Sequence, residues 1–195
     1  SVAIRQDKFN PFRMDVGGRN LISNSSFARG YDNWRTTGGG SSHTIATGAS
    51  DYPSMSPVKR SAKWTNTAET GQGIVTLPSD SWPLFENGKE YVITCWVKAS
   101  SDSTFSLQVY GDSGDAANSF KAFSVNTNWQ KIVHIVTGDG QSNPGVRFFG
   151  RDNGVTYWVN CPKVELGNRA TDWTPAPEDQ VSDWNESDVN SFAFI

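Results

Sequence analysis

The stretch that most constrains this chain is Glu86-Asn87-Gly88 and the run that follows it, EYVITCWVKAS, residues 90–100. Asn-Gly supplies the left-handed backbone of a tight turn, and the run is rich in β-branched and aromatic residues at a period of two. Alternation places Tyr91, Ile93, Cys95 and Val97 on one face and Val92, Thr94, Trp96 and Lys98 on the other. The first set is predicted to face a core. A helix cannot use this pattern, because period-two residues spread around its whole circumference.

The same period recurs along the chain. Phe105, Leu107 and Val109 alternate with Ser106, Gln108 and Tyr110, and Val146 and Phe148 alternate with Arg147 and Phe149. Phe120 to Val125 and Trp129 to Val136 are separated by Asn126-Thr127-Asn128, and Asp152-Asn153-Gly154 reads as a hairpin turn into Val155 to Val164. Shorter strands are predicted near Leu21, over 42–46 and 61–65, and from Gly73 to Leu77. No long stretch repeats apolar residues at helical spacing. About ten short strands fit an all-β chain, a jelly-roll β-sandwich of two antiparallel sheets with four or five strands each.

At 195 residues, one such sandwich with extended N- and C-terminal flanks is the economical division. Residues 1–18, with Pro11 near the centre and Gly17-Gly18 at the end, read as the tail of a preceding region or linker. Residues 19–171 form the sandwich, and 172–195 an extended linker towards a downstream region. Pro175 and Pro177 fix φ and remove two ladder donors, so Thr174 to Glu178 are predicted to run extended out of the fold. Trp184 and Phe192, beyond them, are expected to pack on a neighbouring chain or a following domain.

Net charge is -3 and the isoelectric point about 5.3, with no clustered Lys or Arg to neutralise phosphates, so nucleic acid is not an expected partner. No apolar run approaches the roughly 20 residues that span a bilayer, and SVAIRQDKFNPF lacks the apolar core of a signal peptide, so no membrane insertion is expected. Cys95 and Cys161 sit at alternating positions of apolar strands and read as buried reduced thiols. An inter-strand bridge between them would need Cα atoms within about 7 Å.

Catalytic groupings are missing. Neither His43 nor His134 lies near a Ser or Cys in a G-x-S-x-G context, and both read as structural. Acids cluster in loops, as Asp112 with Asp115 and Glu178 with Asp179, and Gly38-Gly39-Gly40 lacks the Lys-Ser/Thr of a phosphate cradle. No catalytic residue is assigned. Recognition through aromatic and polar side chains is left, and sugars suit it, having C–H patches for a ring face and hydroxyls for polar neighbours. The candidates lie on the non-core phase of strands: Trp96, Tyr110, Arg147 and Phe149, with Trp64 and Lys98 beside them. Trp34, Trp129, Trp158 and Trp173 are assigned to the core or the domain ends.

Two motifs add a family. GRNLISNSSFARGYDNW, residues 18–34, resembles the opening motif N-L-L-x-N-x-x-F followed by Gly and Trp. VELG followed by N-x-ATDWTPAPED, residues 164–179, resembles the end of the carbohydrate-binding-module-like β-sandwich of bacteriophage and prophage tail fibres and minor tail proteins. SDWNESDVNSFAFI, residues 182–195, is similar to a phage-fibre motif that normally continues into Asn-Lys-Pro. The resemblance implies a piece of a longer virion protein, made in the bacterial host cytoplasm and lacking a secretion signal. Its expected partners are a bacterial surface polysaccharide or glycan and other tail-protein subunits, with a homo-oligomer as one form. A structural spacer of the fibre and an accessory module of a glycan-degrading enzyme are the alternatives. Sandwiches of this type often carry a structural calcium ion. Here the acid that commonly follows the Phe is Ala28 and the exit-strand Asp is Asn160, so no cofactor is assigned and calcium stays open.

Overall fold

The computed structural model describes residues 18–38, 42–68, 71–76, 85–111, 114–138, 140 and 145–179. Ten strands follow in order: β1 (Trp34–Thr37), β2 (Ser42–Ala46), β3 (Ser61–Thr65), β4 (Gln72–Thr76), β5 (Glu90–Ala99), β6 (Ser103–Gly111), β7 (Gly114–Val125), β8 (Gln130–Thr137), β9 (Gly145–Gly150) and β10 (Thr156–Leu166). They make two five-stranded antiparallel sheets, ordered β1-β4-β9-β6-β7 and β2-β3-β10-β5-β8. This is the predicted jelly-roll sandwich. The predicted preceding tail over 1–17, Asp112, Gly39-Gly40, Trp184 and Phe192 lie outside the described residues.

Inner faces follow the predicted phase. Tyr91, Ile93, Cys95 and Val97 of β5 meet Phe105, Leu107 and Val109 of β6 and Val146 and Phe148 of β9 in one core. Trp64 sits at its centre, 1% exposed, stacked on Tyr157 at 5.9 Å and 25°. Tyr157 in turn lies flat on Gly150: a Cβ there would fall 2.0 Å from its Cε2 atom. At the predicted hairpin turn, Gly154 takes φ 78°, a left-handed conformation natural for glycine.

The strand predicted near Leu21 is not formed, and β1 stands where none was predicted. Residues 23–26 and 28–33 are turns, with Asn24 and Phe27 at φ 50° and 55°. Asn20 holds this segment on β10 by side chain: its Oδ1 accepts from the Ile22 and Val164 amides, and its Nδ2 donates to Thr174 O and Ser25 Oγ. One backbone bond, Leu21 N to Val164 O at 2.8 Å, joins it to β10, and side-chain bonds stand in for the rest of a ladder.

β10 carries a bulge between Asn160 and Lys163, with Cys161 at φ 52° and Pro162, which has no N–H to give. The bulge shifts the alternation: Tyr157 and Val159 point inward before it, Val164 after it. Outward-facing Lys163 and Glu165 are nevertheless 0% and 1% exposed, because the chain passes over them twice. Lys163 Nζ lies 3.1 Å from Glu165 Oε2 and donates to Thr171 Oγ1 and Asp172 O, both at 2.7 Å.

The exit segment therefore does not leave the fold as predicted. Ala176 is fully buried, a 3-10 turn forms at Pro177–Asp179, and Asp179 pairs with Arg29 at 3.0 Å while accepting from the Asn24 amide. Pro175 and Pro177 do keep it out of the sheet. Its carbonyls find side-chain donors from Lys163 and Asn20 instead, and those bonds hold it down.

Candidate functional site

The sequence-derived candidates fall in three places. Directly paired residues share a face, so the strand registers give the outer face of the β1-β4-β9-β6-β7 sheet as two rows. One runs Arg35, Val75, Arg147, Gln108, Phe120; the other runs Thr37, Gly73, Phe149, Ser106, Ala122. Arg147 and Phe149 therefore lie side by side as the alternation predicted. Tyr110 belongs to the same strand face by register, and its side chain lies outside the described residues.

Phe149 does not present a ring to solvent. It is 2% exposed, with the Arg147 guanidinium 4.2 Å and the Arg151 guanidinium 5.6 Å from its centroid. The expectation of an exposed Phe149 is corrected: cationic side chains cover the ring in a cation–π arrangement. Arg147, half-buried and anchored by its Nη2 to Gly71 O, forms the surface in its place. Among the described side chains the exposed ring on this face is Phe120, 49% accessible and 6.2 Å from Phe149, which the sequence reading did not single out. Two buried hydroxyls of the second row, Thr37 Oγ1 and Ser106 Oγ, have no partner among the described residues. Buried polar atoms left so cost about 1–3 kcal/mol each.

Trp64 is a second correction. Its Nε1 donates to Asn66 Oδ1 (3.1 Å) and Gln72 O (2.9 Å), and its ring stacks on His43 as well as Tyr157. It is core. His43, with Nε2 2.9 Å from Gly73 O, is tied into the same stack. His134 is 6% exposed on β8.

Trp96 and Lys98 lie on the other sheet. The outer face of β2-β3-β10-β5-β8 carries a ladder of lysines and indoles: Lys63 and Lys98 stand 4.9 and 4.6 Å from the Trp158 centroid, and Lys98 5.2 Å from that of Trp129. Trp158, expected in the core or at a domain end, is thus an outer-face residue, fixed by Nε1 donating to Asp51 Oδ1 at 2.7 Å. Lys98 also donates to Ser50 O. Partial burial and the nearby Lys63 draw its pKa down against the pull of Asp51. Lys98 is committed to this ladder. One row further on, Trp96 lies between Asn160 and Lys131 and opens into a pocket.

Both cysteines are free thiols. Burial pushes Cys161 up to about 11 and raises Cys95 as well. Asn160 spends its Nδ2 on Val58 O (3.0 Å) and Arg60 O (2.7 Å), and its Oδ1 accepts from Ser56. An amide nitrogen thus holds carbonyls that a hard cation would need, so these residues do not fit a calcium site at this point. Among the described residues no three His, Cys, Asp or Glu side chains gather as a metal site.

The family model of a carbohydrate binding domain matches residues 19–153, more than half of the chain. The chain belongs to this family. No curated protein sequence matches it. Among solved structures, a xylan-binding domain from Paenibacillus barcinonensis Xyn10C superposes with a TM-score of 0.53 at 15% identity, covering 80% of this chain and 96% of that one. Tailspike protein 4 of bacteriophage CBA120 gives 0.59 at 15% identity over 76% of this chain. The module pair of Clostridium thermocellum endo-1,4-beta-D-xylanase 10B, complexed with xylohexaose, gives 0.52 at 14% identity over 82%. This carbohydrate-binding domain spans only 21% of the tailspike chain and 30% of the xylanase chain. At such identities the likeness concerns the fold.

Proposed function

We propose that this chain is a non-catalytic glycan-binding module whose main site is the outer face of the β1-β4-β9-β6-β7 sheet. The observation that carries this reading is the cross-strand row Arg35, Arg147, Gln108 and Phe120 in a domain of a carbohydrate-binding family. The row combines an exposed ring for C–H faces with guanidinium and amide donors for hydroxyls, and runs across the strands as a chain-shaped ligand would. A single shallow site of this kind binds at about millimolar, near -4 kcal/mol. Copies held on one assembly raise avidity by roughly 10² to 10⁴.

The setting we propose is a phage tail protein, in which the module contacts host-surface polysaccharide within the virion beside other tail subunits. The motifs at residues 18–34 and 164–195 support it, as does the likeness to a tailspike. A second reading, an accessory module of a glycan-degrading enzyme, is favoured by the likeness to the xylanase module pair. Affinity electrophoresis separates the two. Retardation by bacterial surface polysaccharides with none by xylan supports the tail setting; the reverse supports the accessory module. Equal mobility of wild type and Phe120→Ala in every retarding polysaccharide would move the site off this face.

A further inference from the structure

We propose a second saccharide site on the opposite sheet, a pocket that takes the end of a glycan rather than its length. It rests on the reading of the chain as a glycan binder. The pocket encloses about 390 Å³ and is lined by Ser56, Thr94, Trp96, Lys131, Asp172 and Trp173, among others. That is the small end of the range for ligand pockets, about 300–1,000 Å³, and suits one or two sugar rings.

Its walls are built, not incidental. The β10 bulge lies directly opposite Thr94 and Trp96, and strand bending there opens the floor. One wall is the returning C-terminal segment, fixed by three bonds: Lys163 Nζ to Asp172 O, Trp173 Nε1 to Ser25 Oγ at 3.2 Å, and Asn20 Nδ2 to Thr174 O at 2.9 Å. The other is the loop at Ser56, whose Oγ donates to Asn160 Oδ1 at 2.7 Å. Two indoles are thus held on a preformed frame, which reduces the ordering cost of binding.

Ser56 Oγ and Trp173 Nε1 are spent on the frame, while other polar groups of the lining, Lys131 and Asp172 at its exposed rim among them, are not. Trp96 Nε1, Lys131 Nζ and the Asp172 carboxylate make no hydrogen bond or ion pair among the described residues. An indole N–H, an ammonium, a carboxylate and the Thr94 hydroxyl supply both donors and acceptors, which a polyol needs and an apolar ligand does not. Lys131 and Asp172 balance each other in charge, so the ligand is a neutral sugar unit; an acidic sugar would face Asp172. The returning segment with Trp173 walls one side of the pocket, so the ligand proposed is the end of a glycan.

The test uses the whole chain labelled with nitrogen-15, with the Trp96 and Trp173 indole N–H signals assigned through Trp96→Phe and Trp173→Phe. Methyl glycosides of neutral hexoses and N-acetylhexosamines are titrated in. The expected result is saturable movement of these two signals with at least one sugar, weakened roughly tenfold in Lys131→Met. Polysaccharide binding through the other sheet should be unchanged in Lys131→Met. Unmoved signals across the panel overturn the pocket, as does movement of equal affinity in Lys131→Met. Loss of polysaccharide binding in Phe120→Ala with these shifts retained separates the two sites. Shifts retained while no polysaccharide binds would leave the pocket standing and sink the main-site reading instead.

Discussion

Replacing Lys163 by Met removes one charge from a pair that is almost wholly buried, and the structure sets what that should cost. Lys163 and Glu165 are 0% and 1% exposed and 3.1 Å apart. The Lys163 ammonium also serves Thr171 Oγ1 and Asp172 O, while Glu165 accepts from the Thr171 amide and hydroxyl. Met fills the same volume, so packing changes little and the loss is electrostatic. Leaving one member of such a pair unpaired costs about 3–5 kcal/mol. For a domain of this size each kcal/mol moves the midpoint by about 2–4 °C, which gives a fall of roughly 6–20 °C. The assay is thermal unfolding followed by near-ultraviolet circular dichroism. Lys163→Met/Glu165→Gln, which removes both charges and keeps an acceptor for Thr171, should recover more than half of the loss. Amide exchange in 171–176 should quicken in the single variant, because its anchor is gone. A midpoint within about 2 °C of wild type, or a double variant no better than the single, would refute the reasoning.

Other consequences are open to direct measurement. Cys161 and Cys95 keep their protons in the fold, whereas unfolded thiols ionise near 8.5; the stabilisation is complete below about pH 8.5 and is lost as pH rises through the folded value, about 11 for Cys161. Melting temperature should therefore fall between pH 8.5 and 10.5, less steeply in Cys161→Ala, and an unchanged slope in that variant would contradict the assignment. Trp64→Ala should cost about 3–5 kcal/mol in urea unfolding, since it empties the core stack; a fully stable variant that merely loses sugar binding would restore Trp64 to the surface. Gly150→Ala should cost about 1–3 kcal/mol because its methyl meets Tyr157, and Tyr157→Phe should not rescue it, since the clash is with the ring itself.

The fold was legible where one face of a strand is buried, because a period of two then leaves its mark: β5, β6 and β9 present the sides their alternation implies. Residues 20–27 misled because their apolar members sit in turns held by Asn20, a side chain whose five bonds leave no periodic trace. The site was only half legible. Alternation correctly put Trp96, Lys98, Arg147 and Phe149 on outer faces, yet strand order decides which sheet each joins, and that depends on long-range pairing. Hence one list became two faces. Phe149 shows the further gap between facing outward and being exposed, since Arg147 covers it. Trp64 failed for the opposite reason: β3 alternates from Ala62 to Thr65 with Trp64 on the inner phase, but in five residues one Ala and one Trp mark that face too weakly to read. Trp173, assigned to the core or a domain end, follows the last strand, and the bonds of Lys163, Asn20 and Ser25 bring its segment back to Trp96.

The central claim is glycan recognition by the Arg147 and Phe120 face. Its most direct test is binding of the chain, displayed multivalently on a sensor, to a panel of bacterial surface polysaccharides, alongside Phe120→Ala and Gln108→Ala. Selective binding to at least one polysaccharide is expected, with loss in both variants while their melting temperatures stay near wild type. Silence across the panel, or binding that ignores both substitutions, would contradict it.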